Sequence, residues 1–125
     1  MDWLLLYLCK DGKDIDFLAQ CLRGMSSEMI NKINVKGRTL LNVASENGHV
    51  DTVQLLLDKG TDYNKVPLNG NTPLFVASEK GHVDIVQLLV DKGADCNKTR
   101  DDGNTPLFVA SEKGHVDIVL SLIHI

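Results

Sequence analysis

No Cys-x-x-Cys spacing, no excess of basic charge and no long apolar run occurs in this chain of 125 residues. Each absence removes a class of function. Cys9, Cys21 and Cys96 are odd in number and far apart, so neither a structural zinc site nor a disulfide framework is written here. Reduced thiols fit a cytoplasmic compartment, with the nucleus as the second choice, and pairing between chains stays open. A formal net charge of −4 gives no general attraction to nucleic acid or to an anionic membrane. The longest apolar stretch, Trp3 to Cys9, is too short to span a bilayer. It also lacks the basic leader and the small-residue cleavage site of a secretory signal, so a buried first helix is expected. Neither G-x-x-x-x-G-K-[ST] nor G-x-G-x-x-G is present, which leaves no phosphate loop. With 43% apolar and 24% charged residues the chain is neither disordered nor fibrous, and its length suits one domain.

What the chain does contain is a repeat. Gly70 to Val86 reads GNTPLFVASEKGHVDIV, and Gly103 to Val119 repeats those letters without a change. Gly37 to Val53 reads GRTLLNVASENGHVDTV, a looser copy in the same phase, so the period is 33 residues. A fixed period of this kind marks a solenoid, whose units hide their apolar faces against one another.

One unit can be read letter by letter. Thr72 can cap a helix start with its hydroxyl, and Pro73 at the first helical position loses no needed N–H. Leu74, Val76 and Ala77 carry a short helix that Gly81 ends by taking a left-handed conformation. His82 leads into a second helix, where Val83, Val86, Leu89 and Val90 give an amphipathic period and Asp84 favours the first turn. Gly93 ends it. The following ADCNKTRDDG has turn formers and no helical period, and Asp102-Gly103 is a hairpin-type signal. Two such short helices are not stable alone, so stacking must supply the stability.

The pattern T-P-L-F-x-A-S-E-K-G-H-V-D-I-V-x-L-L-x-x-G-A-D-x-N, carried over residues 37 to 119, resembles the ankyrin repeat. Tetratricopeptide units share the period, but their Trp/Gly/Tyr signature is absent, and HEAT or armadillo units are longer. The resemblance implies an all-α solenoid of helix-turn-helix units joined by extended hairpin turns. The chain departs from the family pattern at Phe75, Phe108 and Asn42, where a histidine is common, at Leu40 in place of proline, and at Ser45, Ser78 and Ser111 in place of alanine. The hydrogen bonding of that histidine is therefore missing, and aromatic packing is expected to replace it.

The division that follows is an atypical capping unit at 1–36, full units at 37–69 and 70–102, and a truncated unit at 103–125. In the first, Trp3 to Lys13 aligns with Thr72 to His82, so Leu5 and Leu8 stand where Leu74 and Ala77 do. Met29 to Lys32 aligns with Asp62 to Lys65, and the loop from Arg23 to Ser27 is remodelled. After Val119 the chain reads Leu120-Ser121-Leu122-Ile123-His124-Ile125, which cuts the second helix short and leaves an apolar face open. Those six residues also translate the transposon-end adapter CTGTCTCTTATACACATC. The expectation is that they are not native and that the chain is a fragment of a longer array, with a genuine divergent end as the alternative.

Several constellations suggest chemistry and yield to simpler readings. His49, His82 and His115 recur at the period, but stacked helices lie about 8–10 Å apart while a zinc–nitrogen bond is about 2 Å. Three layers cannot converge on one ion, and local hydrogen bonding at the inter-helix turn is expected instead. Ser78, Glu79 and His82 recur as Ser111, Glu112 and His115 because the scaffold recurs, with no oxyanion hole beside them. No enzyme activity and no cofactor are expected. Lys92, Lys98 and Arg100 are interleaved with Asp91, Asp95, Asp101 and Asp102, a mixed surface rather than a nucleic-acid stripe.

The resemblance implies that recognition lies on the concave side, built from turn tips and the exposed edge of each first helix. Carried over by position, the tips are Val35, Lys36 and Arg38, then Val66, Leu68, Asn69 and Asn71, then Thr99, Asp101, Asp102 and Asn104. The helices contribute Glu46 and Asn47, Glu79 and Lys80, and Glu112 and Lys113. Between units the tips change (KVPLN against KTRDD) while the scaffold letters hold, so packing does not dictate them, and Val66 and Leu68 are the expected anchors. The expected function is a non-catalytic scaffold that binds a protein partner, not nucleic acid, membrane or a small-molecule substrate. The alternative is a regulatory or targeting domain of a larger enzyme or channel.

Overall fold

Threonine hydroxyls start three of the helices. Thr39 accepts from the Asn42 amide at 3.1 Å, Thr72 from Phe75 at 3.2 Å and Thr105 from Phe108 at 3.1 Å, each satisfying one donor that a helix N-terminus leaves without a partner. Pro73 and Pro106 follow the caps in the first turn. The computed structural model describes residues 2–32, 34–35, 38–64 and 70–123. Within them the chain runs α1 (Asp2–Asp11), α2 (Ile15–Leu22), α3 (Ser27–Lys32), β1 (Asn34–Val35), β2 (Arg38–Thr39), α4 (Leu40–Glu46), α5 (Val50–Asp58), α6 (Pro73–Lys80), α7 (Val83–Asp91), α8 (Pro106–Glu112) and α9 (Val116–Ile123).

The helices form two rows. First helices α1, α4, α6 and α8 pack in sequence against one another, and second helices α2, α5, α7 and α9 do the same behind them. Each first helix also packs on its own second helix. Leu5, Leu8, Leu18, Leu22, Leu41, Ala44, Val53, Leu56, Leu74, Ala77, Ile85, Val86, Leu89, Ala110, Ile118 and Leu122 belong to one buried cluster through all the layers. This is the all-α solenoid expected. β1 and β2 pair antiparallel, with Val35 opposite Arg38, and form the only sheet among the described residues.

The joint between layers is the same each time. His49 Nε2 donates to the Lys10 carbonyl at 2.6 Å, His82 to Glu46 at 2.8 Å and His115 to Glu79 at 2.9 Å. A carbonyl can only accept, so Nε2 carries the proton. Each imidazole lies against the glycine that ends the preceding unit's first helix. A Cβ on Gly48 would come within 2.7 Å of His82, and one on Gly81 within 2.8 Å of His115; Gly12 faces His49 in the same way. The histidines are therefore ties between units, which corrects the expectation of local hydrogen bonding.

Three further points differ from the sequence reading. The Trp3–Cys9 run is a helix buried on one face only: Leu5, Leu8 and Cys9 are buried, while Trp3 is 72% and Tyr7 58% exposed. The short helix α3 begins where the remodelled loop ends and covers Met29 to Lys32, the residues aligned with Asp62 to Lys65. Helix α9 continues past Val119 through Ile123, the last described residue, and Leu122 is buried where Leu89 lies in the unit before. The open apolar face is present, with Phe108, Val116, Leu120 and Ile123 exposed.

Candidate functional site

The turn tip before α8 is built by backbone geometry. Arg100 accepts from the Gly103 amide and donates to the Asn104 carbonyl, both at 2.8 Å, with Gly103 at φ +86°. That closes the hairpin-type turn read at Asp102-Gly103. Further back, Asn64 Oδ1 accepts from the Asp95 amide, as Asn31 Oδ1 accepts from Asp62, both at 2.9 Å. These side chains tie each turn to the next.

Arg100 organises the tip electrostatically. Its guanidinium pairs with Asp102, lies 3.7 Å from Glu79 and sits 4.5 Å from the centroid of the buried Phe75 ring. The hydrogen bond to Asp102 pushes the Arg100 pKa further up, and the same bond, with the Asn104 amide, holds the Asp102 carboxyl below its usual value. The three positions that lack the family's histidine thus diverge. Phe75 is packed under a cation, as the expected aromatic replacement. Asn42 keeps a hydrogen bond, its amide donating to the Asn71 carbonyl in the next turn. Phe108 is 51% exposed.

The expected site residues divide by what the structure does with them. Arg38 and Glu46 form an ion pair at 2.7 Å, with Asn47 beside them. Glu79 and Asp102 meet through Arg100, and Asn104 donates to Asp102 through its amide at 3.1 Å. Thr99 and Asp101 are exposed on the tip, and Lys80, Glu112 and Lys113 are exposed at the ends of their first helices. Asn71 is half-buried, its carbonyl engaged by Asn42. Lys36, Val66, Leu68 and Asn69 lie outside the described residues, and Val35 is described by its backbone alone. The ion pairs Arg38–Glu46 and Arg100–Glu79 join turn tips to first helices, so at both places tip and first-helix residues meet on one side of the molecule.

That side carries a groove of about 410 Å³ between α1 and α4, lined by Trp3, Leu6, Tyr7, Lys10, Arg38, Val43, Glu46 and Asn47. Trp3, Tyr7 and Lys10 were missed as surface residues. The alignment of the first unit held the signal: Trp3 stands at the capping position of Thr39 and Thr72, Tyr7 at that of the buried Val43 and Val76, and Lys10 at that of Glu46 and Glu79. A large aromatic ring at a position filled elsewhere by valine marks a face used differently.

A family model for ankyrin repeats, built from three copies, matches residues 3–67 and 62–125. The chain belongs to the ankyrin repeat family. No curated protein matches it. Ankyrin repeats are generally protein–protein interaction modules and typically non-catalytic. Among the described residues of this ankyrin chain, no helix is long and apolar enough to cross a membrane.

Proposed function

We propose that this chain is a non-catalytic scaffold that binds a protein partner on the side formed by its turn tips and first helices, the concave side of an ankyrin stack. The observation that carries the reading is the linkage of tips to first helices by Arg38–Glu46 and Arg100–Glu79, which sets variable tip residues beside the first-helix edge at two layers. A surface held by stacked, mutually tied layers meets a partner with little ordering cost. The units proposed are 1–36 as a cap, 37–69, 70–102 and 103–125. Mixed charge on the tips favours a protein partner over nucleic acid, membrane or a small molecule, and the free cysteines favour the cytoplasm.

The test compares two faces. A protein captured by the chain is titrated against the variant Lys80→Glu/Asp101→Lys/Lys113→Glu and against Gln54→Lys/Gln87→Lys on the second helices. Binding is expected to fall by about tenfold or more for the first set only, as when rim and core charges of an interface are reversed. Circular dichroism must stay unchanged for both. Loss confined to the second-helix variant overturns the proposal.

A further inference from the structure

We propose that the groove between α1 and α4 seats an acidic, amphipathic peptide segment, whose leucine- or phenylalanine-type side chains lie on Trp3 and Tyr7 and whose carboxylates face Lys10. The proposal rests on the reading that the first-helix side is the binding side, and it names what one end of that side recognises.

Three observations carry it. The first is apolar. Trp3 and Tyr7 are four residues apart on one helix face, and both rings are mostly in water although the same helix buries Leu5, Leu8 and Cys9 beneath them. Val43 and Leu6 complete the floor of the groove. Clustered exposed aromatics of this kind are the usual anchors of an interface.

The second observation is the charge balance. The one carboxylate lining the groove, Glu46, is already paired with Arg38 at 2.7 Å, and the Asn47 amide donates to the Val43 carbonyl at 2.8 Å. The Lys10 ammonium makes no ion pair with a described residue, so the groove carries net positive charge on a chain whose formal net charge is −4. Anionic side chains are the complement. A cationic ligand would meet Lys10 and Arg38 with only a committed glutamate to receive it.

The third is the length of the seat. From Trp3 to Lys10 the helix advances about 10 Å at 1.5 Å per residue, the span of two turns of a partner helix. Apolar side chains at one end and carboxylates at the other therefore fit a short helical stretch docked in a groove. An anionic lipid surface offers similar groups, but a bilayer is flat, and the negative charge of the rest of the chain opposes its approach.

Trp3 is the only tryptophan in the chain, so its emission reports on this groove alone. The intact chain is titrated with a synthetic helical peptide of about fifteen residues, leucine on one face and glutamate elsewhere. Its lysine-for-glutamate counterpart and phosphatidylserine vesicles are titrated in parallel. The acidic peptide is expected to shift Trp3 emission to the blue in a saturable way that weakens with salt. Lys10→Glu and Tyr7→Ala, both at exposed positions, are each expected to weaken it by about tenfold, the loss of a charge-assisted contact or an aromatic anchor. An equal shift with the lysine peptide, a shift with vesicles alone, or unchanged affinity in Lys10→Glu overturns the proposal. If the acidic peptide leaves Trp3 unmoved while a captured protein still responds to Lys80→Glu/Asp101→Lys/Lys113→Glu, the groove assignment fails and the concave-side reading stands. If the captured protein ignores those substitutions too, that reading has failed as well.

Discussion

Residues 70–86 and 103–119 are the same seventeen letters in two different surroundings. In the inner copy Leu74 is 1% and Phe75 0% exposed; in the outer copy Leu107 and Phe108 are 37% and 51% exposed. The inner Ser78 hydroxyl is buried with no partner among the described residues, whereas the outer Ser111 hydroxyl donates to the Leu107 carbonyl at 2.8 Å. A Cβ on Gly81 would be crowded by His115, whereas one on Gly114 would meet no described atom within 4 Å. Local conformation is common to both copies: threonine cap, proline in the first turn, left-handed glycine after the helix. Burial is not. In a solenoid the sequence of a unit sets its shape, and its neighbours set which of its residues are core.

Paired substitutions sharpen that contrast, since each pair changes the same letter in the two settings. The largest difference is expected at the phenylalanines. Phe75→Ala removes a fully buried ring and the support beneath Arg100, and should cost about 3–5 kcal/mol in urea unfolding. Phe108→Ala should cost about 1 kcal/mol or less, as at a half-exposed site. Equal losses would mean that the outer ring is buried in solution.

The glycines come next. Gly114→Ala forces alanine to φ +77°, at about 1–2 kcal/mol for a left-handed residue. Gly81→Ala carries the same strain and also drives a methyl group into the His115 ring, adding about 1–3 kcal/mol for overpacking. Adding His115→Ala to Gly81→Ala should recover much of that excess, a coupling that a double-mutant cycle reads directly. Strict additivity would sink the steric account. The smallest effect belongs to the serines. Ser78→Ala removes a buried hydroxyl that has no described partner and should be neutral or slightly stabilising, while Ser111→Ala should change stability by less than about 0.5 kcal/mol.

The same contrast explains what could be read in advance. Period, caps, helix order and the glycine turns were legible because each is a local signal repeated in phase. The exposure of Phe108 and the burial of Phe75 were not distinguishable, because no letter differs between them within the unit. The histidine ties were misplaced for a related reason: the acceptor is a backbone carbonyl 36 residues earlier, which no side-chain pattern announces. Helix α3 escaped because Ser27–Lys32 aligns only in part with the turn at Asp62–Asn64, and turn chemistry was carried across. Of the candidate surface, Arg38, Glu46 and Asn47 were named and fall together on the groove. The apolar run from Trp3 to Cys9 reads as a buried helix without separating its faces, although the alignment of Trp3 with a capping threonine sets it apart.

The glycine–histidine joint has a consequence for how such a chain can change length. Its two halves sit in different units but at fixed phase within each, so the inter-helix turn of one unit is already cut to receive that of any other. Whole units can be duplicated, lost or exchanged and the seam closes again without a compensating substitution, and an insertion alters the spacing only at the joint that spans it: the first tie closes with its partners 39 residues apart, the next two with 36.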